Sequence, residues 1–132
     1  VVAPLLRGRT RERMVVVSCD GSGRVIGCDV LSEGAADHTL LPVREALVAV
    51  LRRDGQTFWL AHNHPAGQAA ASRADVEATV TVQRAAATAG LRLSGHVVVT
   101  DSDWCEVVTP PVRRTTTLRS PMPHRWRQTP VR

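Results

Sequence analysis

The chain has 132 residues, of which 43% are hydrophobic, and this is enough for one globular domain with an ordinary core. No run approaches the ~18 apolar residues of a membrane-spanning helix, and the N-terminal apolar stretch is too short for a secretory signal. Three cysteines without C-x-x-C spacing argue against a disulfide scaffold and favour a reducing cytoplasm as the location.

The net charge of +5 is unevenly distributed along the chain. Residues 109 to 132 contain six arginines and no acidic residue, so this segment carries +6, whereas residues 1 to 108 carry −1. The composition of the C-terminal segment, rich in Pro, Thr and Arg, predicts a basic, disordered tail. Such a tail is suited to weak, sequence-indifferent contacts with nucleic acid.

The first predicted elements follow a loose lead-in over residues 1 to 8. An apolar run predicts a strand over 14–19, a turn cluster follows, and a second strand is predicted over 24–31. After a connector over 34–41, Pro42 precedes a predicted helix over 43–53. The apolar stripe of this helix consists of Val43, Leu47, Val50 and Leu51.

The second half of the chain alternates strands and helices. A strand is predicted over 57–62, a helix over 72–89, and two further strands over 91–100 and 104–108. The order β-β-α-β-α-β-β predicts an α/β fold of the α+β kind, with a mixed β-sheet and helices packed on it.

The segment HNHPAGQAAASRAD, from His62 to Asp75, carries the clearest chemical signal. Alternate residues of a strand point to one face, so His62 and His64 are expected side by side where Pro65 ends the strand. Asp75 lies in the first turn of the next predicted helix, three residues after Ser72. Two imidazoles and one carboxylate supply three positions of an open zinc site.

Each part of this pattern also has a simpler interpretation. The histidines are equally compatible with solvated residues at a strand end, and Pro-Ala-Gly with an ordinary turn. Ser72 and Asp75 have the spacing of a helix N-cap with an acid at the third helical position. A capped first turn is nevertheless compatible with metal binding, because it would hold Asp75 in a fixed place.

The whole motif resembles the His-x-His-Pro-x-Gly, Ser-x-x-Asp signature of JAMM (MPN or JAB) metalloproteases, and most of all the RadC branch, which has HNHPSG here. Weaker matches lie in the expected order: the segment around Glu12 that enters the first strand, Gly34, the segment 42–45, and His96. Together they cover residues 9 to 108, which we take as the predicted domain.

The resemblance implies a JAMM/MPN (cytidine-deaminase-like) architecture and one zinc ion per chain, bound by His62, His64 and Asp75. It also implies that Glu12 is the general base and that Ser72 stabilises the oxyanion. The expected reaction is hydrolysis of a peptide or isopeptide amide in a protein or peptide substrate. No membrane partner is expected. Glu45 is a rival base, and His96 is expected to be a polar strand residue rather than a fourth ligand.

Three residues depart from the RadC pattern: Ala66, Ala71 and Gly95 stand where Ser, Pro and Asp are usual. None of them is a predicted metal ligand, but a glycine at position 95 is expected to loosen a contact behind the metal ligands. Two other functions stay open. One is metal-dependent nucleic-acid processing by a DNA-associated RadC-like protein, which the basic tail and the DNA-repair label of the RadC family suggest. The other is a binding module that has lost catalysis.

Overall fold

The computed structural model of this protein describes residues 1–34 and 42–111. From the first strand onward, the helices and strands follow the predicted order, and their bounds differ from the predicted ones by only a few residues; a short N-terminal helix precedes them. In chain order they are α1 (Ala3–Leu6), β1 (Glu12–Cys19), β2 (Val25–Gly34), α2 (Val43–Arg52), β3 (Thr57–Asn63), α3 (Arg73–Thr88), β4 (Arg92–Val99) and β5 (Trp104–Glu106).

The strands form one five-stranded sheet in the order β2-β1-β3-β4-β5. Strands β3 and β4 pair in parallel and are connected through α3, whereas the other neighbouring strands are antiparallel. The predicted mixed sheet with helices packed on it is thus confirmed. Strand β1 lies between β2 and β3, and Met14 is the register partner of His62.

The main core lies between one face of the sheet and helices α2 and α3. Phe58 and Leu60 of β3 pack there against Val50 of α2 and Val82 of α3. The stripe predicted for α2 is wrong at its end, because Leu51 is half exposed and Ala46 is fully buried instead. The helix is rotated so that Ala46 and Val50, one turn apart, face the sheet.

Helix α1 covers part of the opposite face of the sheet. Its Leu6 is buried in a second cluster with Val15, Ala61 and Val99. The expectation of a loose lead-in over residues 1 to 8 is therefore wrong, because this short apolar segment has a strand surface to pack on.

Two sequence predictions lie outside the described residues: most of the connector over 34–41, and the tail beyond residue 111. Within the described ranges, no helix combines the length and the hydrophobicity needed to cross a membrane. Cys19, Cys28 and Cys105 are free thiols.

Candidate metal centre

The end of strand β3 places two histidines beside each other. His62 is 3% exposed, and its register partners are Met14 on β1 and Val98 on β4. His64 lies just beyond the strand, where its backbone N–H donates to the carbonyl of Val99 at 3.0 Å. Pro65 has no N–H to continue the ladder, so the chain turns away at this point.

Helix α3 begins with a capping box that fixes the acidic residue. The Ser72 hydroxyl accepts from the backbone N–H of Asp75 at 3.1 Å, and the Asp75 carboxylate accepts from the backbone N–H of Ser72 at 2.8 Å. The predicted N-cap is thereby confirmed. A helix N-terminus also favours a carboxylate electrostatically, because the backbone N–H groups there point outward.

The donor atoms of these residues converge. The Nε2 atoms of His62 and His64 are 2.9 Å apart. Asp75 Oδ1 lies 3.2 Å from His62 Nε2, and Asp75 Oδ2 lies 3.3 Å from His64 Nε2. Ligands at about 2.0–2.2 Å from a tetrahedral zinc ion are separated by roughly 3.3–3.6 Å. The spacing and the donor types therefore fit a zinc ion after small side-chain adjustments.

Glu12, at the first position of β1, lies next to this group. Its carboxylate Oε1 is 3.9 Å from His64 Nε2, and ligand atoms of Glu12, His62 and His64 all lie within 4.8 Å of one another. Glu12 also lines a cleft together with His62 and Asp75. The rival base Glu45 lines a different groove, between β2 and α2.

Asn63 holds the backbone on both sides of Glu12. Its Oδ1 accepts from the N–H of Arg13 at 2.6 Å, and its Nδ2 donates to the carbonyl of Arg11 at 2.9 Å. The pairing of β1 with β3 ends at Met14 and His62, so the Asn63 side chain continues the connection between the two strands beyond the ladder. Sequence analysis did not identify this role, because Asn63 and Glu12 are far apart in the chain.

A second set of hydrogen bonds lies behind the histidines. His62 Nδ1 is 2.7 Å from Nε2 of His96, whose Nδ1 is 2.7 Å from Oγ1 of Thr79. The Thr79 hydroxyl in turn donates to the carbonyl of Asp75 at 2.6 Å. His96 is thus a polar strand residue, as predicted, but it contacts a candidate ligand. The role of Thr79 was missed, because nothing in its local sequence distinguishes it from other helical threonines.

The surroundings shift the pKa values of two of these groups. Burial raises the pKa of Asp75, but the neighbouring ring of His62 and the hydrogen bond from the backbone N–H of Ser72 outweigh it and hold that pKa well below its usual range. Burial, with a smaller contribution from the neighbouring His62, lowers the pKa of His96 to about 3. The site therefore combines an ionised carboxylate with a neutral imidazole behind it.

Of the three departures from the RadC pattern, the structure explains the glycine at position 95. Gly95 is the register partner of Trp59, and a Cβ atom at this position would lie 2.8 Å from Cε3 of the Trp59 ring. Trp59 points away from the face that carries Phe58, Leu60 and His62, since strand side chains alternate. Nothing in the structure explains the residues at Ala66 and Ala71.

Comparison with known proteins gives a consistent result. Residues 1–108 match the family model described as RadC-like JAB domain. The chain is 33% identical over 100 residues to a UPF0758 protein of Porphyromonas gingivalis. The aligned region covers 76% of this chain and 44% of that protein. A UPF0758 protein of Photobacterium profundum is 35% identical over 102 residues, with 77% and 46% covered. The chain spans less than half the length of these relatives, and it belongs to the RadC-like JAB domain family.

Proposed function

We propose that this protein is a zinc-dependent hydrolase that cleaves a peptide or isopeptide amide. The observation that carries the proposal is the convergence of His62 Nε2, His64 Nε2 and the Asp75 carboxylate, with Glu12 beside them. Family membership supports a metalloenzyme, and the resemblance of the His62–Asp75 motif to JAMM metalloproteases supports the amide substrate.

The donor set favours zinc over magnesium. Two imidazole nitrogens and one carboxylate are ligands that suit zinc, whereas magnesium prefers oxygen ligands and water. Glu12 is a competing fourth ligand, but its carboxylate is farther from His64 Nε2 than that of Asp75, at 3.9 Å against 3.3 Å. We therefore assign Asp75 to the metal and leave Glu12 for proton transfer.

The catalytic roles follow from the position of each group. Zinc, when bound, would act as a Lewis acid and make a water molecule more acidic. We assign to the Glu12 carboxylate, which lies beside the histidines, the role of accepting a proton from the attacking water and returning it to the leaving amine. Ser72 accepts from the N–H of Asp75, and we assign its hydroxyl proton to the carbonyl oxygen of the substrate, where negative charge develops.

The proposed partner is a protein or peptide that presents an amide at the cleft. The three free cysteines accord with a reducing compartment, and we propose the cytoplasm.

Metal content is the first test of the proposal. We expect about one zinc per chain in the wild type, and a large loss of zinc in His64→Ala and Asp75→Asn. Glu77→Gln is the matched control for Asp75→Asn, because Glu77 lies on the same helix and is exposed. Elemental analysis of the purified proteins measures this. Equal zinc in the wild type and His64→Ala would contradict the ligand assignment.

Replacement of the base is the second test. We expect Glu12→Gln to retain zinc but to lose amide hydrolysis by about 10²–10⁴-fold, because the proton acceptor is removed while the ligands stay. Glu33→Gln is the control, since Glu33 lies on the neighbouring strand and pairs with Arg13 at the surface. Single-turnover cleavage of a peptide library provides the measurement. If Glu12→Gln loses its zinc, Glu12 is a ligand and the base lies elsewhere.

A further inference from the structure

The hydrogen bonds behind His62 form a directed chain. We infer that Thr79 and His96 are positioning residues that keep the proton of His62 on Nδ1, so that its Nε2 is free to bind a metal. This inference builds on the proposed zinc site and adds two buried residues, Thr79 of α3 and His96 of β4, that would act through His62.

The Asp75 carbonyl determines which atom donates and which accepts in each of these hydrogen bonds. A carbonyl oxygen only accepts, so the 2.6 Å contact requires the Thr79 hydroxyl to donate its single proton there. Such a bond to the carbonyl four residues earlier is common for threonine in helices. The Thr79 oxygen is then left with lone pairs alone, and at 2.7 Å from His96 Nδ1 it must accept from an Nδ1–H.

The next two bonds follow from the first. A neutral imidazole carries one N–H, so His96 with its proton on Nδ1 has a bare Nε2. At 2.7 Å this Nε2 accepts from the Nδ1–H of His62. His62 then has a bare Nε2, which is the atom that faces His64 and Asp75.

Burial keeps water away from this series of hydrogen bonds. Thr79, His96 and His62 are 2%, 1% and 3% exposed, so water does not compete for their polar atoms. His64 reaches the same tautomer by a shorter route, because its Nδ1 lies 2.8 Å from the backbone carbonyl of Gln68 and must donate to it. Each histidine thus has its own acceptor on the side away from the metal, as is usual for ligating histidines.

Reversed donor and acceptor roles would put the proton of His62 on its other nitrogen. If Thr79 donated to His96 Nδ1 instead, His96 Nε2–H would donate to His62 Nδ1. The proton of His62 would then sit on Nε2 and block the metal position. The two directions therefore place protons on different nitrogens, which can be distinguished by spectroscopy without any metal or substrate.

The decisive measurement is the ¹⁵N chemical shift of the imidazole nitrogens in metal-free protein at about pH 8.5, two units above the ordinary histidine pKa. We expect His62 and His96 both to carry the proton on Nδ1. A wild-type protein in which His96 is protonated on Nε2 would overturn the inference.

Variants at Thr79 test the cause. Thr79→Val removes the hydroxyl with little change of shape, and we expect the Nε2–H forms of His96 and His62 to appear and zinc to bind about 10–100-fold more weakly. Thr79→Ser should restore both properties. Thr81→Val is the matched control, because Thr81 makes the same bond to the carbonyl of Glu77 at 3.0 Å on the exposed side of α3.

Zinc affinity is measured by competition with a chelator, and circular dichroism verifies that the variants are folded. Tautomers and zinc affinity in Thr79→Val that match those of Thr81→Val would overturn the inference. A protein with the expected tautomers and zinc response but without amide hydrolysis would support the positioning role and would contradict only the proposed function.

Discussion

Asn63 shows how one side chain links the metal ligands to the proposed base. It lies between the two histidines in the sequence, and its amide makes one bond to each of the two peptide groups that flank Glu12. The bonds fix the backbone of Glu12 relative to the strand that carries the histidines. The side chain is 3% exposed, so water does not readily replace it.

We expect Asn63→Ala to lower kcat by up to about 10²-fold, because a base displaced by about 1 Å transfers its proton poorly. Zinc content and KM should change little, since a group that acts only in the transition state affects kcat. The control is Gln83→Ala, which deletes an amide that bonds to Thr109 instead. Steady-state kinetics with elemental analysis measures both quantities. A kcat that matches that of Gln83→Ala would show that Asn63 does not position the base.

The candidate site was predictable from sequence only where its residues are close in the chain. His62, His64 and Asp75 could be placed together from strand alternation and a helix cap, both of which act over a few residues. Glu12 was assigned through the family resemblance alone, because its proximity depends on the pairing of β1 with β3. No short-range signal marks Thr79 as a partner of His96, since their contact joins a helix to a strand seventeen residues away.

At the scale of elements, hydrophobic periodicity was sufficient to find the strands and the two long helices. It did not give the strand order, because periodicity shows that a strand has an apolar face without showing which strand lies beside it. Helix α1 was missed for a related reason. Four residues are too few for a helical period, and the segment is stabilised by packing of Leu6 on the sheet.

The contact of Gly95 with Trp59 gives a prediction about these strands. We expect Gly95→Ala to destabilise the protein by about 1 kcal/mol, at the low end of the usual cost of overpacking, because the Trp59 ring is 37% exposed and can yield. Zinc content should be unchanged, since the added methyl group points away from the face that carries His62.

Urea unfolding measures the free energy of unfolding, and Ser94→Ala is the control at the preceding, exposed position. Replacing Trp59 by Leu in the Gly95→Ala background should remove most of the penalty, because the ring that blocks the methyl group is gone. A penalty that persists in the double variant would assign it to the backbone of β4 or to Glu106, whose Oε1 would lie 3.0 Å from the added Cβ atom, rather than to the ring. Loss of zinc in Gly95→Ala would mean that the change is transmitted through the sheet to His96.

At the scale of the whole molecule, the topology itself gathers the site residues. Strands β3 and β4 are parallel and α3 connects them, so the N-terminus of α3 begins near the edge where β3 ends. This arrangement brings Asp75 to the histidines without a long loop. Strand β1 lies antiparallel beside β3, and for that reason its first residue, Glu12, reaches the same edge.

At the scale of charge, residues 1 to 108 carry −1, whereas residues 109 to 132, the basic segment, carry +6. Six arginines without acidic residues can neutralise several phosphates, so we predict that any nucleic-acid affinity belongs to this segment. Trp126, between Arg125 and Arg127, is able to stack on an unpaired base, a contact worth roughly 1–3 kcal/mol where it forms.

Deletion of residues 112 to 132 should leave zinc content and amide hydrolysis intact, because it retains the contact between Gln83 and Thr109. Binding to single-stranded DNA should then be lost, whereas the full-length chain should bind weakly and lose affinity steeply as salt rises. A full-length variant with the six tail arginines replaced by Gln controls for length, and it should behave as the truncated protein does. Fluorescence anisotropy across a salt series measures all three proteins. Equal DNA affinity of the truncated and full-length proteins would place the interaction on residues 1 to 111 and favour nucleic-acid processing as the function of the protein.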